Sequence, residues 1–436
     1  MKKPLRVGLL GLGTVGCGVA RILLEQRDLI ARRAGREVHL VRAACRDLSR
    51  TRTVSLPPER LTDDAQIIID DPAVDLIVQV IGGIDPASTL LRNALENGKD
   101  VVTANKALLS EHGPEIFRLA RARNCSIGFE AAVAGGIPVI SAIGQALSAN
   151  QIVAVEAILN GTSNFILTEM LGRNHSFHEV LDEAQQLGYA EADPSMDIDG
   201  TDAAQKLAIL VQLAFGTRVN LNEFVIKGID TLDLVDLKYA WELGYKVKLL
   251  AVSRLRNEQL ELHVQPTLVH RDRPLAQTDG PCNMLAIEGD AVGKTWFSGP
   301  GAGQMATASA VVSDIIDAAT GRSSLSFPLL DLWQTEAPRI LVPREEAIHR
   351  YYLRFQVADR PHVFADIADI LGRNEISLAS IIQHEAPESD QEGAESSIPL
   401  VVMTHRTSEG QILQAEQELA QLDSLTAAWI RMPVAN

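Results

Sequence analysis

Short apolar runs alternate with helical stretches through the first 130 or so residues: "LRVGLLG", "VHLVRAAC", "DLIVQVIGG", "DVVTAN" and "CSIGFEAAV". Runs this uniformly apolar, separated by helices, predict a parallel sheet with crossover helices on both faces. From about residue 150 the rhythm changes to "IVAVEAILNGTSNFILTEML", the amphipathic "FHEVLDEAQQLG", and the strand-like "LELHVQPTLV" and "NMLAIEGDAVG". There strands and helices are segregated, as in an α+β unit. "GPGAGQMATASAVVSDIIDAA" sets glycines before a small-residue helix, which is expected to pack back on the first unit over residues 304–325. The expected parts are therefore 1–137, 138–303, a Pro-, Ser- and charge-bearing connector at 326–348, and 349–436. The last part reads strand, helix, strand, strand, helix, strand, and the acidic "APESDQEGAE" between its middle strands reads as a solvated loop.

The 436 residues carry 40 Lys+Arg against 56 Asp+Glu, a formal charge of -16. Such a surface repels polyphosphate, which argues against nucleic acid and for small metabolites as partners. Four cysteines without CxxC or metal-ligand spacing suit free thiols in a reducing cytoplasm. The start "MKKPLRVGLLGLGTVGCGVA" has lysines before an apolar run, yet its glycine spacing and missing cleavage signal exclude a signal peptide. No run of about 18 uncharged apolar residues occurs, so no membrane span is expected.

Gly11, Gly13 and Gly16, with Thr14 and Val15 between them, spell GxGxxG directly after a strand and at the start of a helix. Gly11 permits the tight turn, Gly13 the approach of a pyrophosphate, and Gly16 close packing of helix on strand. The helix N-terminus then offers amide donors and positive dipole to phosphates. A purely structural glycine turn is the bland alternative. The second strand ends in "AACRDLSRTR", where Arg46 stands first instead of an acid. Arginine suits a 2′-phosphate, with Arg50 or Arg52 nearby, so NADP is favoured; Asp47 keeps NAD open, and an exposed loop arginine is the alternative.

"GYAEADPSMDIDGTDAAQKLAILVQLAFG" crowds Glu191, Asp193, Asp197, Asp199 and Asp202 before one lysine, Lys206. Residues 207–215 are apolar apart from Gln212, which predicts a largely buried helix starting near Gly200. Asp202 and Lys206, four apart, share a face one turn into that helix. An exposed ion pair is the bland reading. The burial beyond Lys206 favours an ammonium facing an enclosed polar cavity, where it can protonate a carbonyl oxygen as hydride reaches the carbon. Lys106, after the strand "DVVTAN", stands at the carboxyl end of the sheet, where ligands of open α/β folds bind; otherwise it is a solvated helix lysine.

"GLGTVG", "IGGIDPA", "VVTANKALL", "FEAAVAGGIP", "NGTSNFIL", "GYAEADPSMDIDGTDAAQKL" and "GPGAGQMAT", in this order, closely resemble bacterial homoserine dehydrogenases, and the C-terminal part resembles an ACT domain. The resemblance spans nearly the whole chain. It implies an α/β protein with a Rossmann NAD(P)-binding domain, an α+β substrate and dimerisation domain, and a ferredoxin-like βαββαβ ACT tail. It implies NAD(P)-dependent interconversion of L-homoserine and L-aspartate 4-semialdehyde, a step toward threonine, methionine and isoleucine. By motif, Lys206 is the implied proton donor, with Lys106 as companion lysine, and Glu191 and Asp202 bind the hydroxyl and amino ends of homoserine. Thr103 and Lys106 border the nicotinamide, and Gly188 and Gly303 lie near the cofactor. "FEAAVAGGIP" matches a monovalent-cation loop, for sodium or potassium, with Glu130 and the carbonyls of Val133, Gly135 and Ile137 as ligands. For Glu130 a satisfied strand-end carboxylate is the alternative.

Two positions depart from the family. Gln79 stands where glutamate is frequent, and His362 stands where ACT domains have glycine at the ligand-facing turn. The histidine's bulk sets threonine as effector against a role of the tail in assembly. A homodimer or homotetramer in the cytoplasm is expected. The competing readings are another amino- or hydroxy-acid dehydrogenase and a non-catalytic NAD(P)- or amino-acid-sensing regulator.

Overall fold

Strand β1 (Leu5–Leu10) lies at the centre of a sheet whose order is β3-β2-β1-β4-β5-β6. Its neighbours are β2 (Val38–Ala44), β3 (Leu61–Thr62), β4 (Leu76–Gln79), β5 (Asp100–Thr103) and β6 (Ile127–Gly128). Every pairing is parallel. Val7, Leu9, Leu10 and Leu76 to Val78 are all buried, because helices cover both faces and leave no polar side to the central strands. Strand order reverses between β1 and β4, and the crevice at such a switch point is where ligands of these sheets bind. The computed structural model describes residues 3–330, 339–384 and 397–435.

The strand expected from "CSIGFEAAV" is shorter than its apolar run. Only Ile127 and Gly128 pair with β5. The Glu130 N–H donates instead to the Asp314 carboxylate at 2.9 Å, and the chain turns into a 3-10 helix at Glu130–Ala132.

The second sheet contains β7 (Ile152–Ile158), β8 (Val225–Ile226), β9 (Tyr245–Arg256), β10 (Gln259–His270), β11 (Cys282–Gly289) and β12 (Gly293–Pro300). It continues with β13 (Ile348–Ala358), β14 (Leu378–Gln383), β15 (Ser397–Thr404), β16 (Thr407–Ser408) and β17 (Ile430–Val434). Its order is β12-β11-β7-β9-β10-β17-β13-β15-β14, with β8 on β10 and β16 on β13. The last four strands on this path, with helices Val363–Arg373 and Glu409–Leu419, make the βαββαβ tail. Its edge strand β17 joins β10 in parallel through Leu268 and Val434, so one sheet runs from the substrate domain into the tail. The architecture is the expected one: a Rossmann-like parallel sheet, a mixed-sheet domain and an ACT domain.

Strand β9 escaped the apolar pattern because it buries a lysine. Lys248 is 1% exposed; its ammonium donates to the Thr278 carbonyl at 2.7 Å and Asn164 Oδ1 at 3.0 Å. A charge that finds partners inside breaks the alternation without breaking the strand.

Helix Thr201–Phe215 begins after Gly200, whose φ of +89° is open to glycine at little strain. Leu207, Ile209, Leu210 and Val211 are buried, and the helix packs against helix Lys106–Ala122 of the first domain. Helix Gln304–Thr320 packs on helix Thr14–Glu25, so closely that a Cβ on Gly18 would lie 2.8 Å from the Gln304 carbonyl. The second unit and the helix that follows it thus both pack against helices of the first. The expected connector falls partly on residues 331–338, and the acidic loop lies within 385–396; both segments are outside the described residues. Among the described residues no helix is long and apolar enough to cross a membrane.

Candidate active site

The site is built where two helices start. Asn105 caps helix Lys106–Ala122 by accepting the Leu108 N–H at 3.0 Å, and its amide donates to the carbonyls of Ile81 and Gly83. Asn160 caps helix Gly161–Arg173 by accepting the Ser163 N–H at 2.7 Å. Asparagine serves as an N-cap because its side-chain oxygen satisfies an otherwise unpaired helical amide. Each cap keeps a spare NH2 group for the surrounding site. The Asn160 amide donates to Asp202 Oδ2 at 2.9 Å and to Asp197 Oδ1 at 2.7 Å.

Asp202 is the hub. Lys206 Nζ donates to its Oδ2 at 2.7 Å, and Lys106 Nζ lies 3.0 Å from its Oδ1. Lys206 also donates to the Leu159 carbonyl at 2.8 Å. Asp202 and Lys206 are thus a buried pair, not the exposed i,i+4 pair that spacing alone allows; the Lys206 side chain is 12% exposed and the Lys106 side chain 35%. Burial raises the pKa of Asp202, but the two ammonium groups more than reverse it, to about 2. For Asp197 the balance goes the other way: burial, with Asp202 beside it, raises its pKa despite the Asn160 hydrogen bond and the pull of the same two lysines.

Glu191 is not brought to this cluster. It is exposed on the loop after Gly188, and no hydrogen bond or ion pair of its carboxylate is found among the described residues. Thr103 is fully buried: its hydroxyl donates to Gln79 Oε1 at 2.7 Å and accepts the Asn105 N–H at 3.1 Å. Gln79 in turn donates to the Ile81 carbonyl at 2.9 Å, a bond an ionised glutamate could not make. The departure at this position therefore supports the loop beneath Lys106 with a neutral group.

The glycine loop fits a pyrophosphate. Gly11 has φ of +103°, and a Cβ on Gly16 would sit 2.0 Å from the Gly11 carbonyl, so neither tolerates a side chain. A Cβ on Gly13 would meet nothing within 4 Å, which leaves its backbone face open beside Thr14 and Val15 at the helix N-terminus. Gly303, at the head of helix Gln304–Thr320, is drawn to this loop, since Gln304 Nε2 donates to the Thr14 carbonyl at 3.0 Å. Gly188, with φ of +75°, has no such tie. After β2, Arg46 and Arg50 are exposed, while Arg52 bonds the Leu12 carbonyl at 3.2 Å within the glycine loop. Asp47 turns its carboxylate onto the N–H and hydroxyl of Ser49 at 2.9 and 2.6 Å, which lowers its pKa.

At "FEAAVAGGIP", both Glu130 oxygens accept backbone amides, from Ile140 at 2.8 Å and Ser141 at 2.9 Å. The Ile137 carbonyl accepts the Val139 N–H, whereas those of Val133 and Gly135 accept no hydrogen bond among the described residues. Glu130 and Asp314 are buried together. Burial raises both pKa values, and the charge of Glu130 raises that of Asp314 further.

Sequence reasoning passed over Asn160, Asn105 and the Leu159 carbonyl. The signal for both asparagines was present, an Asn just after a strand and just before a helix, but their spare donors matter only once the two helix starts meet.

An ammonium held beside a dinucleotide-shaped crevice is the arrangement of an NAD(P)-dependent oxidoreductase that reduces a carbonyl. Known proteins agree. Family models for homoserine dehydrogenase, its NAD-binding domain and the ACT domain match residues 138–316, 11–130 and 351–424. The homoserine dehydrogenase of Neisseria gonorrhoeae is 44% identical over 97% of this chain and 96% of its own. The crystal structure of a homoserine dehydrogenase from Thiobacillus denitrificans superposes with TM-score 0.89 at 41% identity, covering 100% of this chain and 99% of that one. A hyperthermophilic archaeal homoserine dehydrogenase in complex with NADPH matches 75% of this chain and 100% of its own, with TM-score 0.63 and 28% identity. The chain belongs to the homoserine dehydrogenase family.

The Asp202 pKa, about 2 against an ordinary 3.8, makes its ionisation a source of stability. A depressed folded-state pKa gives stability that is complete above about pH 4 and is lost as pH falls toward 2, roughly 2 kcal/mol in all. In urea unfolding from pH 5 to pH 2.5, the stability gap between wild type and Asp202→Asn is expected to narrow by about that amount. A gap independent of pH contradicts the assignment.

Proposed function

We propose that this homoserine dehydrogenase interconverts L-homoserine and L-aspartate 4-semialdehyde with Lys206 as general acid and base. The observation that carries this reading is the convergence of Lys206 and Lys106 on one buried carboxylate. An ammonium has three N–H donors. Lys206 uses one on Leu159 and one on Asp202, which leaves the third for the substrate oxygen. A reduced dinucleotide, when bound in the crevice, would supply the hydride chemistry; Lys206 holds the proton that the semialdehyde oxygen needs to become the primary alcohol. In reverse Lys206 takes that proton back. Lys106, the more exposed lysine, orients the same oxygen or the nicotinamide side of the crevice. Asp202 acts chiefly through the lysines, and exposed Glu191 is open to the substrate.

The preferred cofactor is NADP. Arg46 and Arg50 are exposed after β2, where an arginine suits a 2′-phosphate, and Asp47 beside them is turned onto Ser49. The archaeal relative described with NADPH supports the same choice. Glu130 and the carbonyls of Val133, Gly135 and Ile137 would hold a sodium or potassium ion. All are hard oxygen donors, and Glu130 and Asp314 are two buried carboxyl groups in contact with each other's segment. Such an ion would fix the loop between the two domains.

In the tail, exposed His362 takes the left-handed φ of +75° at the head of helix Val363–Arg373. A side chain in that place disfavours threonine as effector and favours assembly into a homodimer or homotetramer. The enzyme is assigned to the cytoplasm, in the route to threonine, methionine and isoleucine.

Lys206→Ala is expected to lower kcat by roughly 10² to 10⁴, the usual range for loss of general acid catalysis, while the NADPH Kd measured by fluorescence stays near wild type. Near-normal turnover by this variant rejects the role. Arg46→Ala is expected to raise KM for NADPH by about tenfold or more, the scale of one charged hydrogen bond, and to leave KM for NADH almost unchanged. A wild-type enzyme that works better with NADH refutes the Arg46 argument.

A further inference from the structure

Away from the lysines, the joint between the substrate domain and the tail holds a second cluster of reactive side chains. Glu261 and His263 face it from β10, and His349 faces it from the start of β13. They are 5%, 6% and 8% exposed. One ligand-capable atom from each lies within 4.8 Å of the other two. His349 Nε2 is 3.3 Å from Glu261 Oε1, and the two imidazole rings meet edge to face with centroids 5.6 Å apart. His263 Nδ1 is buried with no hydrogen-bond partner among the described residues. Leaving such an atom unpaired costs about 1–3 kcal/mol, and nothing in the hydride chemistry requires it.

We propose that Glu261, His263 and His349 bind a divalent transition-metal ion, best matched by zinc, that joins the substrate domain to the ACT tail. Two imidazoles and one carboxylate are a common donor set for zinc, with bonds near 2.0–2.2 Å. Tetrahedral ligands at that radius stand about 3.3 Å apart, which is already the His349 to Glu261 spacing. All three ligand atoms lie within 4.8 Å of one another, so the ring of His263 has at most about 1.5 Å to close. A cavity of about 50 Å³ borders all three residues and has room for a water as fourth ligand.

The surroundings prepare the ligands. Arg256 Nε lies 3.2 Å from Glu261 Oε2, so it fixes the carboxylate and leaves Oε1 for the ion. Burial, with His349 and Arg254 nearby, brings the His263 pKa down to about 3, and burial lowers that of His349 against the pull of Glu261 and Glu409. Both rings are therefore neutral at pH 7, the state a metal needs. Arg254 and Arg256 oppose a cation, but each is paired with a carboxylate, Glu156 and Glu261 respectively. Glu409 and Arg344 also line the cavity, and Glu409 is paired with Arg344 and Arg431 at 3.2 and 2.8 Å. Val264, the next residue along β10, lies against Gly200, where a Cβ would be 3.4 Å from its Cγ1. The strand that carries two ligands thus touches the start of the lysine helix.

The test uses the full chain stripped with a chelator and titrated with Co²⁺, then Zn²⁺. Wild type is expected to give a saturable visible Co²⁺ band at one equivalent, its displacement by Zn²⁺, and a rise in Tm with Zn²⁺. Glu261→Gln and His349→Gln, two variants of near-native volume, are expected to lose both signals; their metal-free Tm reports whether each folds, and either alone suffices. Absence of a saturable band in wild type overturns the proposal. A band that persists in the folded variants overturns it too, because the ion is then held elsewhere.

Discussion

Asp202 places one negative charge between two ammonium groups inside the protein, and the arrangement proposed for catalysis rests on that balance. Without it, two like charges a few ångström apart would repel by roughly 2–3 kcal/mol at an effective dielectric of 20, in addition to the cost of burying Lys206. With it, each lysine meets a different oxygen of one carboxylate, at 2.7 and 3.0 Å. The lysines belong to different domains, so the carboxylate also fixes how the helix of one domain approaches the sheet of the other. Asn160 and the Leu159 carbonyl complete the set from the end of β7. The chemistry and the domain interface are therefore held by the same contacts.

The crevice follows from the sheet. Strands β1 and β4 pair where the strand order reverses, and the glycine loop opens at their ends without a side chain to fill it. Helix Gln304–Thr320 returns from the far end of the substrate domain to close the same loop from the other side. At the opposite end of the second sheet, β17 continues the sheet into the tail. Strand β10 therefore touches both the tail, through β17, and Gly200 at the start of the helix that carries Lys206.

Much of this was legible in the sequence, for physical reasons that differ by element. The first sheet announced itself because both faces of its central strands are buried, so β1 and β4 read as runs that are apolar but for Arg6 and Gln79. The buried helix after Gly200 was legible for the same reason, and so was the shared face of Asp202 and Lys206. Strand β9 was hidden because Lys248 is buried yet fully partnered. The short β6 was overcalled because its last residues satisfy their amides on Asp314 rather than on a strand. Asn160 was quoted within a motif but carried no weight, since a cap's spare amide has meaning only when another chain segment faces it. Glu191 reads like a site acid by motif, yet its carboxylate stands exposed and apart from the lysine pair. The cluster at Glu261, His263 and His349 could not be read at all: its ligands lie about ninety residues apart on strands that meet only through the fold.

The central claim is that Asp202 works through Lys206 rather than on the substrate directly. A double-mutant cycle in kcat/KM with Asp202→Asn and Lys206→Met tests it most directly, because residues that act as one unit are strongly non-additive. The account predicts that the double variant is about as slow as Lys206→Met alone. Losses that multiply would contradict it, since Asp202 would then contribute independently of the lysine it holds.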